Sequence, residues 1–141
     1  METDNLPEVI VRLDCSCIVN RVMLRARQID PDTGDFLPDM FMLRSKEEGL
    51  SVDIASMRDV ETTVSSFKKV HGVGSLHIGR IREIRLTPPK QNQLKLDVEH
   101  RPKPSNSAHS EIIGVPRPEH NEADAEYIAG KLAEMCRKIW P

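Results

Sequence analysis

The apolar residues of this chain come in short runs, with breakers of regular backbone standing between nearly all of them. Ten prolines and seven glycines punctuate 141 residues, and each proline fixes φ and removes a hydrogen-bond donor. Only two stretches keep a helical period. In residues 57–70, Met57, Val60, Val64 and Phe67 recur at three- and four-residue spacing. After Asn121 the stripe is Ile128, Leu132, Met135, Cys136 and Ile139, and each stripe predicts one buried helical face. Ser56 with Asp59, and Asn121 with Asp124, are spaced to cap the free N–H groups that open the two helices. Gly72 or Gly74 is placed to end the first in a left-handed turn.

The remaining apolar runs predict strands. Candidates lie at residues 7–13, at 15–27 (best at Ile18, Val19, Val22 and Leu24), at 40–43, at 50–54, around Leu76 and Ile78, and at 112–115. Leu94, Leu96 and Val98 alternate with Lys95, Asp97 and Glu99 as in a half-buried strand. Residues 30–35 have turn chemistry, 45–49 and 101–107 read as loops, and Pro88 with Pro89 forms a rigid break. Residues 80–86 fit either a short helix or a bulged strand. Short strands without regular strand–helix alternation imply an α+β fold: a small mixed, mainly antiparallel sheet with two main helices packed on one face. With no repeat, low-complexity tract or long linker, residues 1–141 are expected to form a single domain, with 1–7 a flexible N-terminus.

Composition removes several functions. Aromatics make up 4% of the chain, too few for a base-stacking surface, and a net charge of −2 offers no bulk attraction to nucleic acid. Only a local basic patch would bring in such a partner. No apolar run is long enough to span a membrane. The acidic start, Met1 to Asp4, lacks the apolar core of a secretory signal. A cytoplasmic protein is therefore expected, with Cys15, Cys17 and Cys136 as free thiols.

Few residues offer chemistry, and each has an ordinary structural explanation. Cys15 and Cys17 with Cys136, aided by His71 or His77, could hold a metal. The spacing departs from paired zinc knuckles, so buried thiols are the simpler account, and no metal or cofactor is expected. Gly72, Gly74 and Gly79 follow a helix, which is the wrong context for a nucleotide loop. Arg80, Arg82, Arg85 and Lys90 form a basic stretch, residues 119–126 an acidic one, and such runs are commonly solvated faces.

Polar groups concentrate in residues 100–111. His109 and Glu111 would share a strand face, as in a general base steadied by a carboxylate, unless His109 merely braces the turn. Ser51 and Asp53 also share one side of a strand and could meet His109 in a cleft. The catalytic candidates are thus His109, Ser51 and Asp53. Arg44, Asn106, Glu111 and His100 are the candidates for binding a ligand. The glycine-flanked turn of serine hydrolases is missing around Ser51.

The run Gly49, Leu50, Ser51, Val52, Asp53, together with Asn106, Ser107, Ala108, His109, Ser110, Glu111, Ile112, Ile113, Gly114, resembles a group of small bacterial proteins. These pair an LSVD strand with an NxAHxxIxG strand ahead of a final helix. The similarity covers residues 36–138, implies a bacterial, cytosolic, single-domain protein and brings no activity with it. Two functions follow as expectations. The first is a non-catalytic accessory module of a multi-component system, with a protein partner or self-association. The second is a small enzyme or a nucleotide- or phosphate-binding domain. There His109 would be the acid/base, Ser51 and Asn106 would position the ligand, and Arg44 would hold its phosphate.

Overall fold

The computed structural model describes residues 12–140. Six strands form one sheet: β1 (Ile18–Met23), β2 (Leu50–Ile54), β3 (Gly72–His77), β4 (Asp97–His100), β5 (His109–Ile113) and β6 (Arg137–Trp140), in the order β4-β5-β2-β1-β3-β6. Every pairing is antiparallel. The expected α+β class is observed, in a fully antiparallel form. The expected strand at residues 7–13 lies for the most part outside the described residues, and Arg12 and Leu13 are not in a strand.

One face of the sheet is apolar. Val19, Met23, Leu50, Val52, Ile54, Leu76, Val98 and Ile112 merge there into a single buried cluster. Ile78 and Ile81 of α2 (Ile78–Glu83) complete it, as do Ile128, Ala129 and Leu132 of α3 (Glu122–Met135). Asn121 caps α3, its side chain accepting from the Asp124 N–H. Met40 and Phe41 join the cluster from a short 3-10 turn, Pro38–Phe41, not from the expected strand. Pro38 at the first turn position presets its φ.

Three other expectations shift for local reasons. α1 spans only Val60–Ser65, capped by Asp59 through Thr62 N–H, not by Ser56. Its β-branched residues are weak helix formers, and the hydroxyls of Ser65 and Ser66 turn back onto the carbonyls of Thr62 and Thr63. Its buried residue is Thr63, whereas Met57 and Phe67 are exposed. Gly72 and Gly74 lie inside β3, not at a helix end. A Cβ on Gly74 would collide with Cys136 Sγ and the Phe36 ring, so its bare backbone lets those side chains close over the strand. The strand expected at 94–98 is instead β4, which starts three residues later at Asp97, while Leu96 is buried in irregular backbone. The final helix stops at Met135, and residues 137–140 leave it to pair with β3.

Candidate functional site

The short β1–β2 pairing positions the site. It consists of Val19↔Ile54 and Asn20↔Asp53 alone, although β1 pairs with β3 over six positions and β2 with β5 over four. Beyond Asn20 the two central strands part company. Arg21 fills the split, donating from Nη1 to the Ser51 carbonyl (2.7 Å) and from Nε to the Met40 carbonyl (2.8 Å). Its guanidinium also lies 5.6 Å over the Phe41 ring. A side chain thus satisfies backbone carbonyls that would otherwise lack donors. Burial, its largest influence, lowers the Arg21 pKa to about 10, which leaves it charged at neutral pH.

A cleft of about 620 Å³ opens along this split. Its strand residues include Asn20 and Val22 from β1 and Ser51 and Asp53 from β2. Arg58, Ser66 and Phe67, on either side of α1, form one wall. Lys103, Ser105 and Asn106, in the tight turn where Lys103 and Asn106 pair, form the other. Arg44 and Glu47 close one end on a loop that Arg117 clamps through the carbonyls of Arg44, Ser45 and Glu47.

Four of the expected residues meet here through side-chain contacts. His109, on β5 opposite Asp53, has Nε2 3.4 Å from Ser51 Oγ. Its Nδ1 lies 2.9 Å from the Arg101 carbonyl, which can only accept. In the neutral ring Nδ1 therefore carries the hydrogen, and the Nε2 lone pair faces the Ser51 hydroxyl. At 3.4 Å this contact is longer than the roughly 2.6–3.2 Å hydrogen bond along which a base takes a proton, and the Nε2 lone pair is an acceptor on the cleft lining. Asp53 plays a different part. One oxygen accepts from Asn106 Nδ2 (2.7 Å), the other from Thr63 Oγ1 (3.2 Å), and Arg58 Nε lies 4.0 Å away. That carboxylate ties β2, α1 and the 103–106 turn together; the His109 ring is held by another group.

The other candidates divide. Arg44 lines the cleft. Glu111 pairs with Ser51 across the strands, yet its carboxylate accepts from Arg101 Nη1 (2.6 Å) and does not line the cleft. Arg101 is shared with Glu99 (2.8 Å), and these partners raise its pKa further, the Glu99 bond foremost. The orienting group for His109 is thus the Arg101 carbonyl in place of the expected Glu111. His100 is buried and does not line the cleft, with Nε2 2.7 Å from the Ser107 carbonyl, where it braces the loop.

Sequence reasoning passed over Asn20, Arg21, Arg25, Arg58 and Lys103, all of which line the cleft. A polar pair, Asn20 and Arg21, inside the apolar run of β1 was the available signal. Among the described residues, no ion pair engages Arg25, Arg44 or Lys103. Two buried atoms of lining residues, Asn20 Oδ1 and Arg58 Nε, have no hydrogen-bond partner among the described residues. No group of three or more His, Cys, Asp or Glu among the described residues is arranged to hold a metal ion. No helix among them is long and apolar enough to cross a membrane. No protein-family model matches the chain, and neither does any curated protein or solved structure.

Proposed function

We propose that this protein binds a small phosphate-bearing ligand in the cleft between β1 and β2. The observation that carries this reading is the charge of the cleft. Arg21, Arg25, Arg44, Arg58 and Lys103 line it against two carboxylates, Asp53 and Glu47, in a chain of net charge −2. Asp53 is occupied by Asn106 and Thr63, and Glu47 accepts from the Arg44 backbone N–H. Five cations against these two carboxylates leave the cleft positive, and Arg58 Nε, buried and 4.0 Å from the Asp53 carboxylate, would gain from an anion. Arg44 and Lys103 would grip the phosphate, and Ser51 with His109 would meet the ligand's polar end.

The accessory-module reading rested on small size, on scarce catalytic groups and on the contrast between the basic stretch at 80–90 and the acidic one at 119–126. Lys90 and Asp124 bond each other at 2.8 and 2.9 Å, and Arg82 bonds Asp97. Part of that contrast is thus spent inside the molecule, so the ligand-binding reading is preferred.

Isothermal titration with inorganic phosphate and with a phosphomonoester, at low ionic strength, tests the proposal. Saturable one-site binding is expected, weakening with salt and by about tenfold for each of Arg44→Ala and Lys103→Ala, the worth of a charged hydrogen bond. An absence of saturable heat, or unchanged affinity in the double variant, would overturn it.

A further inference from the structure

The cations account for only part of the cleft's lining. Val22, Leu24 and Phe67 line it as well. Leu24 is 45% exposed and Phe67 42%, two of the six large apolar side chains left open to water among the described residues. They reach the same cleft from separate elements, Leu24 just past β1 and Phe67 just past α1. Phe67 is the exception among the three phenylalanines, because Phe36 and Phe41 are buried in the core. In a chain so poor in aromatics, this half-exposed ring lines a charged cleft.

Volume points the same way. A cleft of about 620 Å³ lies within the usual range for sites that enclose a whole organic ligand, and a single phosphate group would fill only a small part of it. The lining combines Ser51, His109, Asn106 and Lys103 with the apolar Val22, Leu24 and Phe67. A ligand that uses both sets of groups is amphiphilic, carrying a charged group and an apolar one.

Resting on the phosphate-binding reading, we infer that the ligand is an aromatic phosphomonoester, a class that includes mononucleotides. Its ring stacks on Phe67 and packs against Leu24 and Val22, and its phosphate lies towards Arg44 and Lys103. The flat face of Phe67 favours a ring over an alkyl chain, because offset ring stacking adds attraction beyond the area buried.

The test compares inorganic phosphate, butyl phosphate and phenyl phosphate by isothermal titration with the full chain. Phenyl phosphate is expected to bind about tenfold more tightly than inorganic phosphate, the effect of burying roughly half a ring, and more tightly than butyl phosphate. Phe67→Ser should bring phenyl phosphate down to about the level of inorganic phosphate. In NMR spectra, the ring protons of bound phenyl phosphate should show contacts to the methyls of Val22 and Leu24. If all three probes bind equally, the ring seat is wrong while phosphate binding stands. Butyl phosphate matching phenyl phosphate would likewise remove the aromatic class. If no probe binds, the phosphate reading fails first and this inference with it.

Discussion

At the scale of single residues, Asp53 shows how a side chain that reads as catalytic can be structural. With Asn106, Thr63 and Arg58 around it, its replacement leaves two polar groups without their partner and a buried cation without its nearest carboxylate. Asp53→Ala should cost about 2–3 kcal/mol in urea denaturation. Ser51→Ala, which removes one exposed hydroxyl at the end of a 3.4 Å contact, should stay within about 0.5 kcal/mol. Equal losses in the two variants would contradict these separate roles. The cysteines differ in the same local way. Burial raises the Cys136 thiol pKa to about 12, opposed by the nearby charge of Arg21, whereas Cys15 is exposed. A raised pKa means fewer thiolates at a given pH, and the thiolate is the reactive form. Iodoacetamide at pH 8, followed by peptide mass spectrometry, should label Cys15 readily and leave Cys136 intact until the protein unfolds.

Among the elements, ends matter more than middles. Gly114 closes β5 at φ +84°, and a Cβ there would run into the Lys95 carbonyl. Gly114→Ala should therefore destabilise by about 2 kcal/mol or more, from left-handed strain together with the clash. The cap of α3 is a gentler case: Asn121→Ala should cost about 1 kcal/mol, read as a lower thermal midpoint with the fold retained. These ends were partly legible. Asn121, the 30–35 turn and the β2 alternation follow from local chemistry, so short-range rules suffice. The start of α1 was misplaced because Asp59 and Ser56 both fit a cap, and local pattern does not choose between them. The C-terminal stripe continued through Cys136 and Ile139 on helical spacing. The open edge of β3, which no local pattern contains, draws residues 137–140 into a strand.

For the whole molecule, stability and binding depend on pairings between distant segments. Arg82 joins Asp97 at 2.7 Å to the Leu13 carbonyl at 2.6 Å and to Cys15 Sγ. Burial pushes the Asp97 carboxyl up, but the hydrogen bonds from Arg82 and from Val98 N–H outweigh it and leave the pKa below the usual value. A lowered carboxyl pKa means that the unfolded chain takes up the proton more readily. The stabilisation is complete above the ordinary carboxylate pKa, near 4, and is lost as pH falls through the lower folded value. Because both partners are part-exposed, Asp97→Asn should cost about 1 kcal/mol or less at pH 7. In urea midpoints measured from pH 7 down to pH 2, the difference between the two proteins should shrink towards zero. A gap that persisted at pH 2 would show that Asp97 acts by packing and not by charge.

By itself the sequence determined the local and periodic features of this protein: the α+β class, the β2 strand with Ser51 and Asp53 on one side, the capped final helix and the polar turn before His109. Each depends on residues a few positions apart, whose preferences are properties of the backbone and of nearest neighbours. The tertiary structure decided where those pieces meet. Parting β1 from β2 after two residue pairs, wedging Arg21 into the gap and bringing Arg58, Phe67 and Lys103 to its walls all require contacts between segments far apart in the chain. His109 shows the division most clearly. Spacing paired it with Glu111, but Arg101 binds that carboxylate while offering the ring its own carbonyl. The choice between two acceptors is made by which group the folded chain leaves free.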